Sequence, residues 1–384
     1  MASVRLMNHR ERMEAVLSGH PPDRIPWVPR LQLWYEAHRR TGTLPPRYEG
    51  LTLREIERDL GLGTPARDGR IMEERLVGVE ITSNREGPFE TVTYHTPVGS
   101  VETVTRHSVD LDRLGLPGRI VSYPLKTPRD YAVWRWIVSH MDWGPAYEAY
   151  RAYDAEIGQD GLPMVSVGDV PFHEWLEKLA GYEYGFYHLA DFPQEVESLL
   201  TLMMEVQRER LWPVIAESPA RFVLHGAHLS SQFTPPHLFR KYILPYYKDL
   251  MPLLHGRGIR VAMHADNDTS LILDLIREAG WDVVECFVTA PMVPLTLEHA
   301  RSVWGNEIII WGGLPSTLLS PSTPEEAFRD YVNHLWDVIA PGDAFILGVA
   351  DNVMPDSLIE RVRWVSEQVK GRGWYPIARQ GGHG

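Results

Sequence analysis

Residue types that could carry acid/base or metal chemistry recur at one point of a repeating pattern, at or directly after the end of short apolar runs. The runs occupy residues 164–167, 221–224, 259–263, 282–286, 307–311 and 344–349. Histidine, cysteine and carboxylate side chains are common proton donors, proton acceptors and metal ligands in enzymes. Those at the run ends are Asp169, His225, His228, His264, Asp266, Glu285, Cys286 and Asp351.

Helical patterns separate most of these runs, and this alternation predicts the elements that position the polar residues. Between residues 269 and 279 apolar side chains share one helical face, and Gly280 ends the pattern. A later helix is predicted to begin after Thr323 as the cap, with Pro324 at its first position. Short apolar strands between amphipathic helices are typical of a parallel sheet covered on both faces.

The predicted fold class is α/β, a (β/α)8 TIM barrel with an N-terminal helical and β-hairpin elaboration. Six runs and a short strand near residue 27 favour a closed barrel over an open sheet. No glycine-rich phosphate-binding pattern follows the first strand, which argues against a dinucleotide-binding fold. Barrel enzymes carry their active sites where the C-terminal strand ends meet. We therefore expect the polar residues at the run ends to share one rim.

The region upstream of the alternation predicts the elaboration. Asn8 and Glu11 form the pattern of a helix capping box. Two β-rich runs, 90–95 and 101–105, flank a turn at 96–99 and predict a hairpin beside the barrel. Further on, Thr127 and Pro128 predict a helix start. The prediction is one domain over residues 1–375, with a hairpin insertion at about 75–106 and a disordered tail at 376–384.

Composition and charge exclude several classes of partner. The 384 residues carry 38 basic and 51 acidic side chains, a net charge of −13, which argues against nucleic acid or an anionic membrane as a partner. Cys286 is the single cysteine, so neither an intramolecular disulfide nor a thiolate-rich metal site can form. The first residues contain no apolar leader segment, and a cytoplasmic protein is expected.

His264 is the strongest candidate for a metal ligand or an acid/base group. It ends an apolar strand and precedes a predicted helix, although its ring could instead satisfy a loop carbonyl. A catalytic zinc site needs three protein ligands and one open position. The predicted ligands are His264, Cys286 and His225, with Glu285 or Asp266 as alternatives and with His228 or Asp351 also able to replace His225. As a lone cysteine, Cys286 could equally be a small buried side chain.

Aromatic residues near the first strand predict a substrate pocket, with core packing as the alternative. Trp27, Trp34, Tyr35 and Trp311 could line a flat apolar site. Arg30 could pair with a substrate carboxylate or with an acidic residue of the rim. Two further candidates for substrate binding at the strand ends are Asp169 and His228.

Several segments, in their order along the chain, resemble the uroporphyrinogen decarboxylase superfamily. They include residues 8–26, 233–245 and 347–355 and the shorter segments Tyr94-His-Thr-Pro-Val-Gly99 and Ile309-Ile-Trp-Gly-Gly313. The resemblance spans nearly the whole chain and implies a (β/α)8 barrel. True uroporphyrinogen decarboxylases carry an arginine-rich segment after the first strand. The corresponding segment of this chain, residues 29–38, contains one arginine, Arg30. Those enzymes also carry a late histidine in an LGHG-like segment, where this chain has Leu347-Gly-Val-Ala-Asp351. Decarboxylation of uroporphyrinogen is therefore not expected.

The resemblance instead implies the corrinoid-dependent methyltransferases of the superfamily. Thiol-methylating members hold zinc with a His-x-Cys pair, whereas His264-Ala265-Asp266 keeps only the histidine. This implies a substrate-side enzyme that moves a methyl group from a small methyl ether, such as an aromatic one, or from a similar donor to a corrinoid carried by a separate partner protein. His264 with Glu285, Asp266 or Asp351 would then assist as metal site or acid. The resemblance also implies a homodimer. The alternatives are a decarboxylase of a small carboxylic acid and a non-catalytic binding barrel.

Overall fold

The N-terminal part of the chain forms helices and antiparallel strands that lie beside a parallel barrel. The structure, a computed structural model, describes residues 5–379. Its first six α-helices are α1 (His9–Leu17), α2 (Gln32–Thr41), α3 (Leu53–Leu60), α4 (Val109–Leu114), α5 (Pro128–Ser139) and α6 (Tyr147–Ile157). The first six strands are β1 (Met72–Leu76), β2 (Glu80–Glu86), β3 (Phe89–Thr96), β4 (Gly99–Arg106), β5 (Arg119–Ser122) and β6 (Met141–Pro145).

The local signals in this part form the predicted contacts. The amide of Glu11 donates to Asn8 Oδ1 at 2.9 Å and the amide of Asn8 donates to Glu11 Oε2 at 2.8 Å, which is the capping box of α1. Strands β3 and β4 pair as the predicted hairpin, with Tyr94 opposite Val101. Two further strands extend the hairpin into a four-stranded sheet in the order β2-β3-β4-β5, while β1 pairs separately with β6. Val101 packs on α5, so this sheet is anchored through one face.

The second part alternates strands and helices. Its strands are β7 (Val165–Ser166), β8 (Phe222–Ala227), β9 (Arg260–His264), β10 (Val283–Phe287), β11 (Ile309–Pro315) and β12 (Phe345–Ala350). Its α-helices are α7 (Pro171–Glu174), α8 (Tyr182–Asp191), α9 (Pro193–Val206), α10 (Trp212–Ala216), α11 (Pro236–Leu238), α12 (Leu244–His255), α13 (Leu273–Ala279), α14 (Leu297–Trp304), α15 (Glu325–Ile339) and α16 (Ile359–Arg372). All neighbouring strands of this six-stranded sheet are parallel, in the order β12-β11-β10-β9-β8-β7.

Two extended segments complete the barrel between β12 and β7. Trp27 forms a parallel bridge with Leu347 of β12, and the amide of Gly63 donates to the Trp27 carbonyl at 2.9 Å. The Met164 amide, just before β7, donates to the Ala66 carbonyl at 3.0 Å. Segments near 27 and 63–66 therefore occupy the first two strand positions, which confirms the predicted barrel. The strand near residue 27 was predicted, whereas the segment at 63–66 is too short and irregular to show strand periodicity in the sequence.

Two predicted helix starts are displaced, and one predicted boundary lies in ordered chain. Helix α13 begins at Leu273 rather than near residue 269, and α15 begins at Glu325. The Thr323 hydroxyl donates to the Thr317 carbonyl at 2.8 Å and so does not cap α15. Of the predicted disordered tail, Ile377 is buried and its amide bonds the Pro341 carbonyl, whereas residues 380–384 lie outside the described residues. No described helix has the length and apolar character needed to span a lipid bilayer.

Candidate active site

The C-terminal ends of β9, β10 and β12 bring a histidine, a glutamate, a cysteine and an aspartate together. His264 is the last residue of β9, Glu285 and Cys286 lie in β10, and Asp351 directly follows β12. Glu285 and His264 are opposite one another in the parallel pairing of β10 with β9. The barrel therefore places these four predicted site residues at one rim, where active sites of this fold lie.

The imidazole of His264 is fixed through one of its two ring nitrogens. Nδ1 lies 2.6 Å from Glu285 Oε2, and both side chains are almost fully buried. Arg67 Nη1 donates to the two Glu285 oxygens at 3.0 and 3.1 Å, so a cation neutralises the buried carboxylate. A carboxylate that holds one ring nitrogen of a histidine sets its orientation and leaves the other nitrogen available as a ligand. Glu285 thus positions His264, and both of its carboxylate oxygens are already bound by Arg67 or His264.

His264 belongs to two overlapping sets of possible ligand atoms. His264, Cys286 and Asp351 form one set, and His264, Asp266 and His228 form the second. Within each set the nitrogen, sulfur and oxygen atoms lie within 4.8 Å of one another. The separation from His264 Nε2 to Asp266 Oδ2 is 3.6 Å, and His228 Nδ1 lies 2.7 Å from the same oxygen. Nitrogen, thiolate and carboxylate donors in such a group are the ligands that zinc accepts.

Strained backbone accompanies these ligand atoms. Non-glycine residues with positive φ include His228 at 54°, Cys286 at 61° and Asp351 at 66°. The pairing of β10 with β11 is interrupted between Glu285 and Phe287, so Cys286 occupies a β-bulge. A bulge lets two consecutive side chains, here Glu285 and Cys286, both reach the His264 side of the strand. Each left-handed residue costs about 1–3 kcal/mol, and such strain concentrates at functional sites.

Burial and the neighbouring charges oppose each other at the site. Burial alone lowers the pKa of His264, but the charge of Glu285 and the side-chain contact with Asp266 outweigh burial and hold that pKa well above its usual value. Burial raises the pKa of the Glu285 carboxyl, but the positive charges of Arg67 and His264 outweigh burial and lower that pKa to about 2. Burial raises the pKa of the Cys286 thiol. Glu285 is therefore the fixed negative charge of the site.

A cavity of about 880 Å³ opens beside this rim. It is lined by Arg30, Tyr35, Arg67 and Ser166, among others. Arg30 Nη1 lies 4.0 Å from both Cys286 Sγ and Asp351 Oδ1, which connects the cavity to the first ligand set. The structure thus places Arg30 and Tyr35 where a substrate could meet them.

Three predicted pocket tryptophans lie in the core instead. The indole N–H groups of Trp27, Trp34 and Trp311 donate to the Ser366 hydroxyl, the Ser357 carbonyl and the Val28 carbonyl. All three side chains are buried, and none lines the cavity beside Arg30. The sequence offered core packing as the alternative for these residues, and the geometry favours it, because a tryptophan whose N–H is satisfied internally needs no pocket.

His225 also lies apart from the ligand sets. Its Nδ1 is 2.9 Å from the Tyr247 hydroxyl and its Nε2 is 3.3 Å from the Tyr246 hydroxyl. The side chain is fully buried, and burial lowers its pKa to about 4, so it is neutral. Among the described residues it belongs to no group with metal-ligand spacing. The structure therefore does not bring His225 to the predicted ligand group, whereas Asp351, an alternative in that prediction, lies in one set with His264 and Cys286.

Four residues of the site were not predicted from the sequence. Arg67 lies in an irregular segment without periodicity, and His173, Glu177 and Tyr182 follow β7 on and around a π-helical stretch, Trp175–Ala180. Glu177 Oε1 lies 3.9 Å from His228 Nε2. The dense set His173, Glu174 and Glu177 after Pro171 was the available signal, because it begins directly beyond a barrel strand.

The fold and the rim define a TIM-barrel protein with a candidate metal or acid/base site at the C-terminal strand ends. A family model described as uroporphyrinogen decarboxylase (URO-D) matches residues 120–372, which is more than half of the chain. The chain belongs to this family. A solved structure, a methyltransferase from Methanosarcina mazei, covers 95% of this chain and 99% of its own, with a TM-score of 0.54 and 15% sequence identity. At that identity the likeness concerns the fold. Comparison with curated protein sequences finds no match.

Proposed function

We propose that this protein is a methyltransferase that moves a methyl group from a small methyl ether, for example an aryl methyl ether, to a corrinoid carried by a partner protein. The observation that carries the proposal is the His264 ring, which is tied through Nδ1 to Glu285 and forms a group with Cys286 and Asp351 in which the ligand atoms lie within 4.8 Å of one another. Membership of the family and the shared fold with a methyltransferase support it.

The residues present fit a zinc ion. His264 Nε2, Cys286 Sγ and an Asp351 oxygen would be three protein ligands, and the open fourth position is typical of a catalytic site. Bound there, zinc would supply Lewis acidity that helps an ether oxygen to leave. Asn352 donates to Asp351 Oδ1 at 2.7 Å and so orients this carboxylate. Glu285 would act from behind the ligands by orienting His264.

The rim leaves space for a donor and an acceptor. The side chains of Asp351 and His228 are 36% and 38% exposed, so solvent reaches the ligand sets from above the barrel. Methyl transfer to a cobalt(I) corrinoid breaks the methyl carbon–oxygen bond and forms a carbon–cobalt bond. The electron pair of the broken bond stays on the oxygen, which a proton then neutralises. A reduced corrinoid on a separate protein could approach the same opening.

Decarboxylation of a small carboxylic acid is the second candidate. It is supported by the two arginines of the 880 Å³ cavity, Arg30 and Arg67, since guanidinium groups bind carboxylates. Arg67 already holds Glu285, so Arg30 is the cation with more freedom to bind a substrate. The family description also names a decarboxylase.

Metal content and methyl transfer test the proposal directly. Protein purified without chelators is analysed for metals in the parent, in His264→Ala and in the control His255→Ala, whose histidine lies at the opposite end of the barrel. We expect about one zinc per chain in the parent and the control, and none in His264→Ala. Absence of metal from the parent would contradict the zinc site.

The parent is then mixed with chemically reduced cob(I)alamin and a panel of methyl ethers that includes anisole. Formation of methylcobalamin, followed by its visible absorption, is the expected result. No methylcobalamin with any donor contradicts the methyltransferase proposal. Release of carbon dioxide from a panel of small carboxylic acids would instead establish the second candidate.

A further inference from the structure

A buried chain of hydrogen bonds connects Asp169, His173 and Tyr182 on the β7 side of the rim. The Val170 amide donates to Asp169 Oδ1 at 2.7 Å, and the Ala227 amide donates to Oδ2 at 3.2 Å. His173 Nδ1 lies 2.8 Å from the same Oδ2, and its Nε2 lies 3.3 Å from the Tyr182 hydroxyl. Both Asp169 oxygens and both ring nitrogens of His173 are thereby engaged in a hydrogen-bonded relay, and Asp169 and His173 also have metal-ligand spacing with Glu177.

The relay is rigid up to the tyrosine hydroxyl. His173 is fully buried and Asp169 is 6% exposed. Burial lowers the pKa of His173, but the adjacent Asp169 carboxylate outweighs burial, and the net direction is upward. The imidazolium form with Nδ1–H directed at Asp169 is therefore favoured. An imidazole oriented by a buried carboxylate is the arrangement that fixes a proton-transfer group in many enzymes.

Tyr182 stands between this relay and a second cavity. It begins α8 and is half-buried, and its ring packs on Phe233 with centroids 4.2 Å apart. With Tyr123 and Glu177 it lines a cavity of about 850 Å³. The backbone of Gly181 adopts φ of 79°, and a Cβ there would lie 2.5 Å from the Tyr123 ring. The glycine thus lets Tyr123 pack closely beside Tyr182, which gives the cavity an aromatic wall.

One carboxylate of the His264 ligand sets acts electrostatically on the same tyrosine. Burial raises the pKa of Tyr182, and the negative charges of Glu177, Asp169 and Asp266 raise it further. Asp266 belongs to the ligand set of His264, and Glu177 lies 3.9 Å from His228. The Tyr182 hydroxyl therefore stays protonated and lies within the electrostatic reach of the His264 cluster.

We propose that Tyr182 is a catalytic residue that donates a proton to the leaving oxygen of a methyl donor bound in this tyrosine-lined cavity, and that His173 and Asp169 are positioning residues. The proposal rests on the methyl-transfer function proposed above. As the methyl carbon–oxygen bond breaks, the methyl group passes to cobalt(I) and the electron pair stays on oxygen. Tyr182 gives that oxygen its O–H proton. The Tyr182 phenolate then takes the Nε2 proton of the His173 imidazolium, while Nδ1–H stays directed at Asp169.

Phenol, the product of anisole demethylation, tests the hydrogen bond without turnover. Its affinity is measured by titration calorimetry with the parent, with Tyr182→Phe, and with Tyr187→Phe as the matched control. Tyr187 lies on the same helix, is 58% exposed and does not line the cavity. Loss of one hydrogen bond predicts about tenfold weaker binding to Tyr182→Phe. Unchanged binding, or no binding to the parent, overturns the proposal.

The positioning role has its own readout. Asp169→Asn should also weaken phenol binding, by about threefold to tenfold, because His173 loses its orienting partner. In the double variant Tyr182→Phe/Asp169→Asn the loss should equal that of Tyr182→Phe alone. Additive losses would show that Asp169 acts only on the fold, and thermal unfolding of each variant checks that the barrel is intact.

Turnover then separates this proposal from the function on which it rests. With reduced cobalamin, Tyr182→Phe should lower kcat more for anisole than for 4-nitroanisole, because 4-nitrophenolate leaves without a proton. Equal losses for both donors overturn the acid role. If the parent binds phenol through Tyr182 but transfers no methyl group, the methyltransferase proposal fails and the acid role fails with it, while the phenol site itself stands.

Discussion

A histidine, a carboxylate and an arginine meet at each end of strands β9 and β10, but the two groups differ in state. At the N-terminal end, Asp282 Oδ2 lies 2.9 Å from His255 Nε2, and Arg260 Nη1 lies 2.6 Å from Asp282 Oδ1. At the C-terminal end, Glu285 is held in the same way between His264 and Arg67. Histidine, carboxylate and arginine therefore form a comparable trio at both ends of the barrel.

The surroundings of the two trios differ. Asp282 also accepts the Val261 amide at 2.8 Å, and the His255 side chain is 36% exposed. No group with metal-ligand spacing includes His255 or Asp282 in the part of the chain that the structure describes. His264 by contrast is buried and presents Nε2 to further ligand atoms. Residue types alone therefore do not identify a functional site. The distinguishing feature is whether a ring nitrogen or carboxylate oxygen is still able to bind a ligand after the local hydrogen bonds have formed.

Removal of each histidine gives the largest contrast. His264→Ala should abolish the proposed zinc binding and the proposed methyl transfer together, because the set with Cys286 and Asp351 contains no other nitrogen ligand. His255→Ala should keep both and lose about 1 kcal/mol of unfolding free energy with its hydrogen bond. Elemental analysis and denaturant unfolding measure the two effects. Equal metal content in both variants would remove the distinction between the two ends.

Neutralising each carboxylate gives an intermediate effect. Glu285→Gln should weaken zinc binding about 10–100-fold, because the residue that orients a ligating histidine supports metal affinity. Asp282→Asn should leave zinc affinity unchanged and cost about 1–3 kcal/mol of unfolding free energy through its hydrogen bonds to charged groups. A competition titration with a chromophoric chelator reports the affinity. Similar zinc affinities of Glu285→Gln and the parent would refute the orienting role.

The pH dependence of stability should show the structural role of Asp282. Burial raises its pKa, but hydrogen bonds from His255 and the Val261 amide outweigh burial and lower it below 3.8. In the unfolded chain the pKa of this aspartate is about 3.9, so near and below that pH the unfolded chain binds more protons than the folded chain. The stabilising contribution of Asp282 to the unfolding free energy is therefore present above about pH 4 and is lost on acidification. Urea unfolding at several pH values measures the difference in unfolding free energy between the parent and Asp282→Asn. This difference should shrink below about pH 4. A constant difference would contradict this linkage.

The smallest effect is expected at Arg260. Its side chain is 46% exposed, and exposed ion pairs contribute about 0–1 kcal/mol. Arg260→Gln should therefore lower the unfolding free energy by less than about 1 kcal/mol and leave zinc binding intact. Denaturant unfolding in low and high salt provides the measurement. A larger loss of unfolding free energy that does not change with salt would mean that this ion pair behaves like the buried pair of Arg67 and Glu285 at the other end of the barrel.

Much of the rim was predictable because barrel strands end in a regular way. His264, Glu285 and Asp351 were predicted from their places at or just after apolar runs, and the structure brings His264 and Glu285 within hydrogen-bond distance. Arg67 was not, because it follows an irregular strand position with no periodicity. Tyr182 was not either, since the π-helical stretch before it breaks the 3.6-residue pattern on which helix predictions depend.

The alternation of strands and helices, the hairpin and the residue types at the strand ends can all be read from the amino-acid sequence. These depend on local periodicity and on capping and turn residues, which act over a few positions. Only the tertiary structure decided that Trp27, Trp34 and Trp311 are core residues and that His225 pairs with tyrosines. It also decided that the bulge at Cys286 places a thiol beside His264. Such outcomes depend on which partners satisfy each polar atom, and those partners come from distant parts of the chain.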